Sequence, residues 1–297
     1  MPTLYNLADS NIKKTWILII SLLVLIIFLG WFFSYYFNNI NILYFAVFFA
    51  LFQSFLSYWY SDKIILTITK AIPIEKKDNP ELYNIVENLC IASGLPMPKI
   101  YILNEMQPNA FATGRDEKHA AIAVTKGLLE KLDKSEIEGV ISHELSHIKN
   151  RDILLQSVIV VLVGIIAIIS DIFTRAMWYR KRDEEEKNAS ILFFFGIIGM
   201  ILAPIAAKLI QLAISRKREF LADASGVLIT RYPEGLIRAL EKISHDQTPL
   251  ITKNSATLHL FIVSPLKGNE AKNWFLNLFS THPPIEERIK ALKQISI

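Results

Sequence analysis

His143, Glu144, Leu145, Ser146 and His147 form the stretch of this chain best equipped to do chemistry. In a helix, residues four apart share a face, so both imidazoles would project towards one point and could close on a single metal ion. Glu144 falls one step round, beside the ion and outside its ligand set. A general base must stand there to take a proton from a water whose acidity the ion has raised. On a plain surface helix the same string would amount to two solvated histidines. The chemistry therefore needs a helix to carry the pair and a further ligand to complete it.

The helix is predicted over residues 135–150, opening at Ser135 with Glu138 three residues on, a capping-box spacing. An apolar run, 153–170, begins six residues after His147. A second run, 191–207, contains Pro204 as a kink and continues through Ile214 into SRKREFLAD at 215–223. If these helices continue unbroken, His147 lies ~9 Å before one run and Glu219 ~7 Å beyond the other, at 1.5 Å per residue. An up-and-down pair would return the chain to the same height. Glu219 could then complete a His, His, Glu set around zinc, with water in the fourth position. Asp223, one turn further, could orient a histidine ring from behind. The alternative for Glu219 is an ion pair with its neighbour Arg216 or Arg218.

The rest of the composition points to a membrane. Mean hydropathy is +0.33 over 297 residues and only 20% of residues are charged, too apolar for an ordinary soluble domain. Residues 16–36 and 40–60 carry no charge and are each long enough to cross a bilayer as a helix, separated only by Phe37, Asn38 and Asn39. They predict a tight antiparallel hairpin, too long to be a signal peptide and therefore retained. Lys13 and Lys14 precede it, Lys63 and Lys70 follow it, and its turn has no basic residue, which places both outer ends in the cytoplasm. The segment 171–187 should lie on the far side, yet it carries Arg175, Arg180, Lys181, Arg182 and Lys187 beside four acidic residues. Either the first hairpin overrides that bias, or the later apolar pair packs on the protein without crossing. The net charge of +4 is small, and the basic residues flank apolar stretches without an aromatic platform. They read as membrane-surface anchors, with no nucleic-acid partner. The one cysteine, Cys90, excludes an internal disulfide, fits a reducing compartment and reads as a small buried residue.

Between residues 78 and 152 the pattern becomes globular. A helix is predicted over 80–93, with Leu82, Ile85, Val86, Leu89 and Cys90 on one face and Gly94 as its stop. Strands follow at 99–103 and 120–125, then a short helix at 126–132. Asn109, Ala110, Phe111 and Ala112, followed by Thr113 and Gly114, form either an ordinary hairpin strand or an edge to which a peptide could add as a further strand. An amphipathic helix at 233–245, an irregular stretch at 248–280 with an apolar patch at 258–263, and a closing helix at 285–295 complete the chain. His282 and Arg288 could reach a developing oxyanion if this end folds back over the site. Their plainer roles are a histidine at a helix cap and a solvated arginine. His119, His245 and His259 show no ligand spacing.

HELSHIKNRD, SRKREFLADA, NPELYNIVENL, NAFATG and STHPPIEERI, together with the opening apolar hairpin, resemble the HtpX family of membrane zinc endopeptidases, relatives of the CAAX prenyl endopeptidases. The resemblance implies a mainly α membrane protein: a transmembrane helical hairpin, a zincin-like α+β metalloprotease domain with a small sheet and an HExxH helix, and two further apolar helices flanking the site. It divides the chain into a cytoplasmic segment 1–15, the hairpin 16–60, a first protease part 61–152, the apolar pair 153–214 and a second protease part 215–297. It further implies one Zn2+ per chain on His143, His147 and Glu219, with Glu144 as catalytic base and Asp223 behind the ligands. It also places Asn109 to Gly114 near the substrate strand, and makes His282 and Arg288 accessories. The family role would be degradation of damaged or misassembled membrane proteins by a multi-pass inner-membrane enzyme whose protease domain faces the cytoplasm. Two other classes compete. A di-iron carboxylate protein would need a second ExxH motif, which the chain lacks. A non-catalytic membrane adaptor with a structural metal would need a closed four-ligand site, with His282 as fourth ligand.

Overall fold

A computed structural model describes residues 4–179, 216–249, 257, 260–263 and 283–295. The uncharged runs form α1 (Leu4–Tyr36) and α2 (Ile40–Trp59), packed against each other through a turn at Asn38, with Asn39 capping the backbone N–H of Asn41. Both are long and apolar enough to cross a membrane. Large apolar side chains such as Ile17, Val24, Phe45 and Phe48 are more than half exposed, as lipid-facing residues are. The first helix runs unbroken from Leu4, so the segment ahead of the uncharged run is helical and forms the foot of α1. Asn11, buried in that foot, donates to the Asn150 carbonyl (3.0 Å) and to Asp152 Oδ1 (2.7 Å). A short α3 (Ser61–Ile68) turns the chain away from the hairpin.

The globular part is built on a four-stranded sheet of β1 (Ile72–Pro73), β2 (Lys99–Leu103), β3 (Ala110–Gly114) and β4 (Ala120–Thr125), in the order β1-β2-β4-β3. Strands β2 and β4 are parallel; β1 and β3 join antiparallel at the two edges, with Ala112 opposite Ile122. Two residues including a proline carry no alternating pattern, so β1 was invisible in the sequence. Helix α4 (Pro80–Ser93) follows the predicted face and ends at Gly94, whose φ of 72° is the left-handed conformation a glycine adopts at little cost. Burial also pushes the Cys90 thiol up to about 11, which leaves it inert.

After α5 (Lys126–Lys131) comes the central helix, α6 (Lys134–Lys149). Its capping box uses Asp133 and Glu136, two residues before the predicted pair. Asp133 accepts the Glu136 N–H (3.0 Å) and Glu136 returns to the Asp133 N–H (2.8 Å). Ser135 instead donates to Asp133, and Lys242 meets the buried Glu136 charge at 2.7 Å.

The next helix, α7 (Asp152–Tyr179), does not continue α6. The chain breaks at Arg151, whose φ is 57°, and then remains helical through residues 171–179, which the sequence assigned to a loop. The apolar side chains from Ile153 to Val163 are buried against β3, α3 and the α1–α2 hairpin. Ser157 hydrogen-bonds Thr113 (2.8 Å), so this stretch of α7 packs on protein. The second apolar run, 191–207, and residues 180–187 lie outside the described residues. The chain is described again from α8 (Arg216–Thr230), followed by α9 (Pro233–His245) and α10 (Ile285–Leu292).

Helix α6 lies in the middle, with β3, α4, α8 and α9 against it. Two close approaches bring its partners in. A Cβ built at Gly139 would meet the Leu236 backbone at 2.6 Å, and one at Gly226 would meet the His143 nitrogen at 3.0 Å. Glycine at these points lets α9 and α8 seat directly on the α6 backbone.

Candidate metal centre and active site

One turn of α6 presents His143 and His147, and the first turn of α8 presents Glu219. The two Nε2 atoms are 3.1 Å apart, and each is 3.7 Å from a Glu219 oxygen. All three side chains are buried, and their donor atoms lie within 4.8 Å of one another. Atoms bound at 2.0–2.1 Å to one tetrahedral ion are roughly 3.3 Å apart, so this donor set fits a zinc-sized ion with little adjustment. Arg218, the neighbour weighed as a partner for Glu219, has its Nε 2.7 Å from Asp152 Oδ1.

Each imidazole is turned by a carboxylate on its far nitrogen. Asp223 Oδ1 is 2.9 Å from His143 Nδ1, and Asp152 Oδ2 is 3.0 Å from His147 Nδ1. Both rings thereby direct Nε2 at the shared point, an arrangement that also raises ligand basicity. No spacing rule marks Asp152 in the sequence, although the motif HELSHIKNRD ends on it. Its position follows from the break at Arg151, which folds the first residue of α7 back beside His147.

Arg288 is the largest surprise. It was expected to be solvated or to face an oxyanion, but it is fully buried. Its Nε and Nη2 donate to the two oxygens of Asp223 (2.8 and 2.6 Å) and its Nη1 donates to the Ile262 carbonyl (2.9 Å). The closing helix does fold back to the site, where the guanidinium pairs with Asp223 and its Nη1 also lies 3.9 Å from Glu219 Oε2. Ile262 in turn donates its N–H to the Ala110 carbonyl (3.0 Å) on the outer edge of β3, and Asn109 Nδ2 donates to the Val263 carbonyl (2.9 Å). The apolar patch at 258–263 was the signal for this docking segment, but nothing local showed what it docks on. Phe111 is buried in the core against Phe261. His282 and His259 lie outside the described residues. His119 and His245 are engaged locally, by Asp116 and by the Glu241 carbonyl.

The electrostatics separate the roles. Burial lowers the pKa of His143 and keeps it neutral, as a metal ligand must be. Burial opposes charge at His147 too, but the hydrogen bond its Nδ1–H donates to Asp152 and the nearby carboxylates outweigh it and raise its pKa to about 9. Burial pushes Glu144 up to about 7, although the charge on His147 and a hydrogen bond from the Ala112 N–H pull the other way. A carboxyl poised near neutrality, one residue from His143 and outside the donor set, is equipped to accept and return a proton.

Three converging donors with such a carboxyl beside them define a metal-dependent hydrolase, here joined to an apolar helical hairpin. Residues 76–296 match Peptidase family M48. A protein of Caldanaerobacter subterraneus subsp. tengcongensis named "Protease HtpX homolog" is 46% identical over 99% of both chains. Identically named proteins of Dictyoglomus thermophilum and Pyrococcus furiosus are 44% identical over 99% of this chain and 95% of theirs, and 47% identical over 84% of each. The crystal structure of S. mikatae Ste24p superposes with a TM-score of 0.49 at 20% identity, covering 97% of this chain and 67% of that one. The chain belongs to peptidase family M48, among its HtpX proteases, and is a membrane metalloendopeptidase.

Proposed function

We propose that this chain is a zinc endopeptidase that cleaves unfolded or damaged membrane proteins at the cytoplasmic face of the membrane, as part of membrane-protein quality control. The observation that carries the reading is the convergence of His143, His147 and Glu219 with Glu144 alongside. Family membership does not favour the adaptor alternative. In this reading the three residues hold one zinc per chain, which supplies Lewis acidity to water and to the scissile carbonyl. The Glu144 carboxylate takes the proton of the attacking water and passes it to the leaving nitrogen. Its raised pKa, about 7, suits it to both steps. The Ala112 N–H holds that carboxylate in place. Asp223 and Asp152 fix the two rings, and Arg288 neutralises Asp223. The substrate backbone runs beside Ala110 and Ala112, exchanging the Ile262 N–H on the Ala110 carbonyl for its own.

Hydrolysis of unfolded casein by the detergent-solubilised chain, with and without a chelator, tests the proposal. Chelation should abolish cleavage, and Glu144→Gln should retain zinc while losing at least ~100-fold in rate. A Glu144→Gln protein that cleaves as fast as the parent would show the base to be wrongly assigned.

A further inference from the structure

A cavity of about 480 Å³ shares no residue with the metal centre. It lies where α2 ends and α3 begins, with β2 and the turn after β3 forming its other wall. Four cationic side chains line it, Lys63, Lys99, Arg115 and Lys118, with Asp62 as the one carboxylate of the lining; Arg115 is already paired with Asp116 at 3.3 Å, which leaves the three lysines as the excess charge. None of the three lysines has an ion-pair partner among the described residues. Arg115 stacks 4.4 Å over the Trp59 ring and Lys63 lies 5.0 Å from the centre of the Tyr60 ring, so aromatic residues at the end of the span hold two of the cations. Cations gathered in one cavity repel one another, and an anion in their midst relieves that repulsion.

We propose that this cavity binds the phosphate of an anionic phospholipid. Phosphate is the shared chemistry of a lipid headgroup and a free anion, and two features favour the lipid. The cavity opens at the last turn of α2, where Trp59 is 45% exposed, the level at which a bilayer interface would fall. Its wall also includes Phe55 and Leu66, apolar surface that a glycerol backbone and acyl chain would cover and a free phosphate would not. Basic residues just outside a span meet the anionic leaflet, where each adds to lipid affinity. The proposal rests on α2 crossing the membrane and is independent of the peptidase reading.

The test is thermal unfolding of the full chain in a neutral detergent, titrated with short-chain phosphatidylglycerol, short-chain phosphatidylcholine, glycerol 3-phosphate or inorganic phosphate at constant ionic strength. Phosphatidylglycerol should raise Tm saturably, and the other three should not. Lys99→Gln with Lys118→Gln, both exposed positions, should weaken that response by roughly 25-fold, from about one surface charge's contribution at each site. Lys290→Gln with Lys293→Gln, the same charge change on the closing helix, should leave it intact. An equal response to phosphatidylcholine, an equal response to the free phosphates, an equal loss in the control pair, or no saturable response would each overturn the proposal. Because the readout is binding, a catalytically dead protein would still decide it.

Discussion

Replacing Arg288 by methionine removes the charge that faces Asp223 while keeping much of the side chain's length. Asp223 is 2% exposed, and its partners are Arg288 and His143. Burial alone would raise its pKa, but Arg288 first and His143 second draw it down from 3.8 to about 2. At ~1.4 kcal/mol per unit, that shift corresponds to roughly 2 kcal/mol of stability, present above pH 3.8 and lost as pH falls towards 2. The substitution forfeits this and also strands a buried carboxylate, so the total cost is about 3–5 kcal/mol. Tm should fall by roughly 10 °C. Because His143 loses a firmly held orienting partner, zinc affinity should drop about 10–100-fold. Adding Asp223→Asn removes the stranded charge, so the double variant should recover at least half of the lost stability but none of the zinc affinity. Thermal unfolding in detergent and chelator competition read the two effects separately. If Arg288→Met costs under ~1 kcal/mol, the guanidinium is not the buried counter-charge described here.

Asp152→Asn should weaken zinc binding by about 10–100-fold by loosening the His147 ring; unchanged retention against a chelator would rule out that positioning role. In the zinc-free protein His147 stays charged until pH passes about 9, so zinc must displace its proton. Calorimetry at pH 7.5 in buffers of different ionisation enthalpy should find about one proton released from this residue per zinc, falling away above pH 9. The same raised pKa stabilises the zinc-free fold below pH 6.5, a contribution that fades between 6.5 and 9. At the seat of α8 on α6, Gly226→Ala places a methyl 3.0 Å from the His143 nitrogen. It should cost about 1–3 kcal/mol and move Glu219 away from the histidines, lowering zinc affinity with it. Unchanged stability and zinc retention would contradict the tight packing.

Local chemistry was legible in the sequence wherever period and spacing encode it. Two histidines four apart on a helix, a glutamate between them, uncharged runs of bilayer length and a proline-to-glycine helix at residues 80–94 are statements about neighbours along the chain. Glu219 was reachable because its flanking apolar runs suggested a return to the same height, although α6 and α7 are broken at Arg151 and not continuous as that argument assumed. What sequence could not assign were the partners made by tertiary packing. Asp152 reaches His147 only because the chain turns at Arg151. Arg288 meets Asp223, 65 positions away, only because α10 packs behind α8. Asn11 touches Asp152 only because the foot of the membrane hairpin lies against the start of α7. A periodic pattern records which face of an element is buried; which charge waits on the other side of that burial depends on how the elements dock, and only the folded chain decides it.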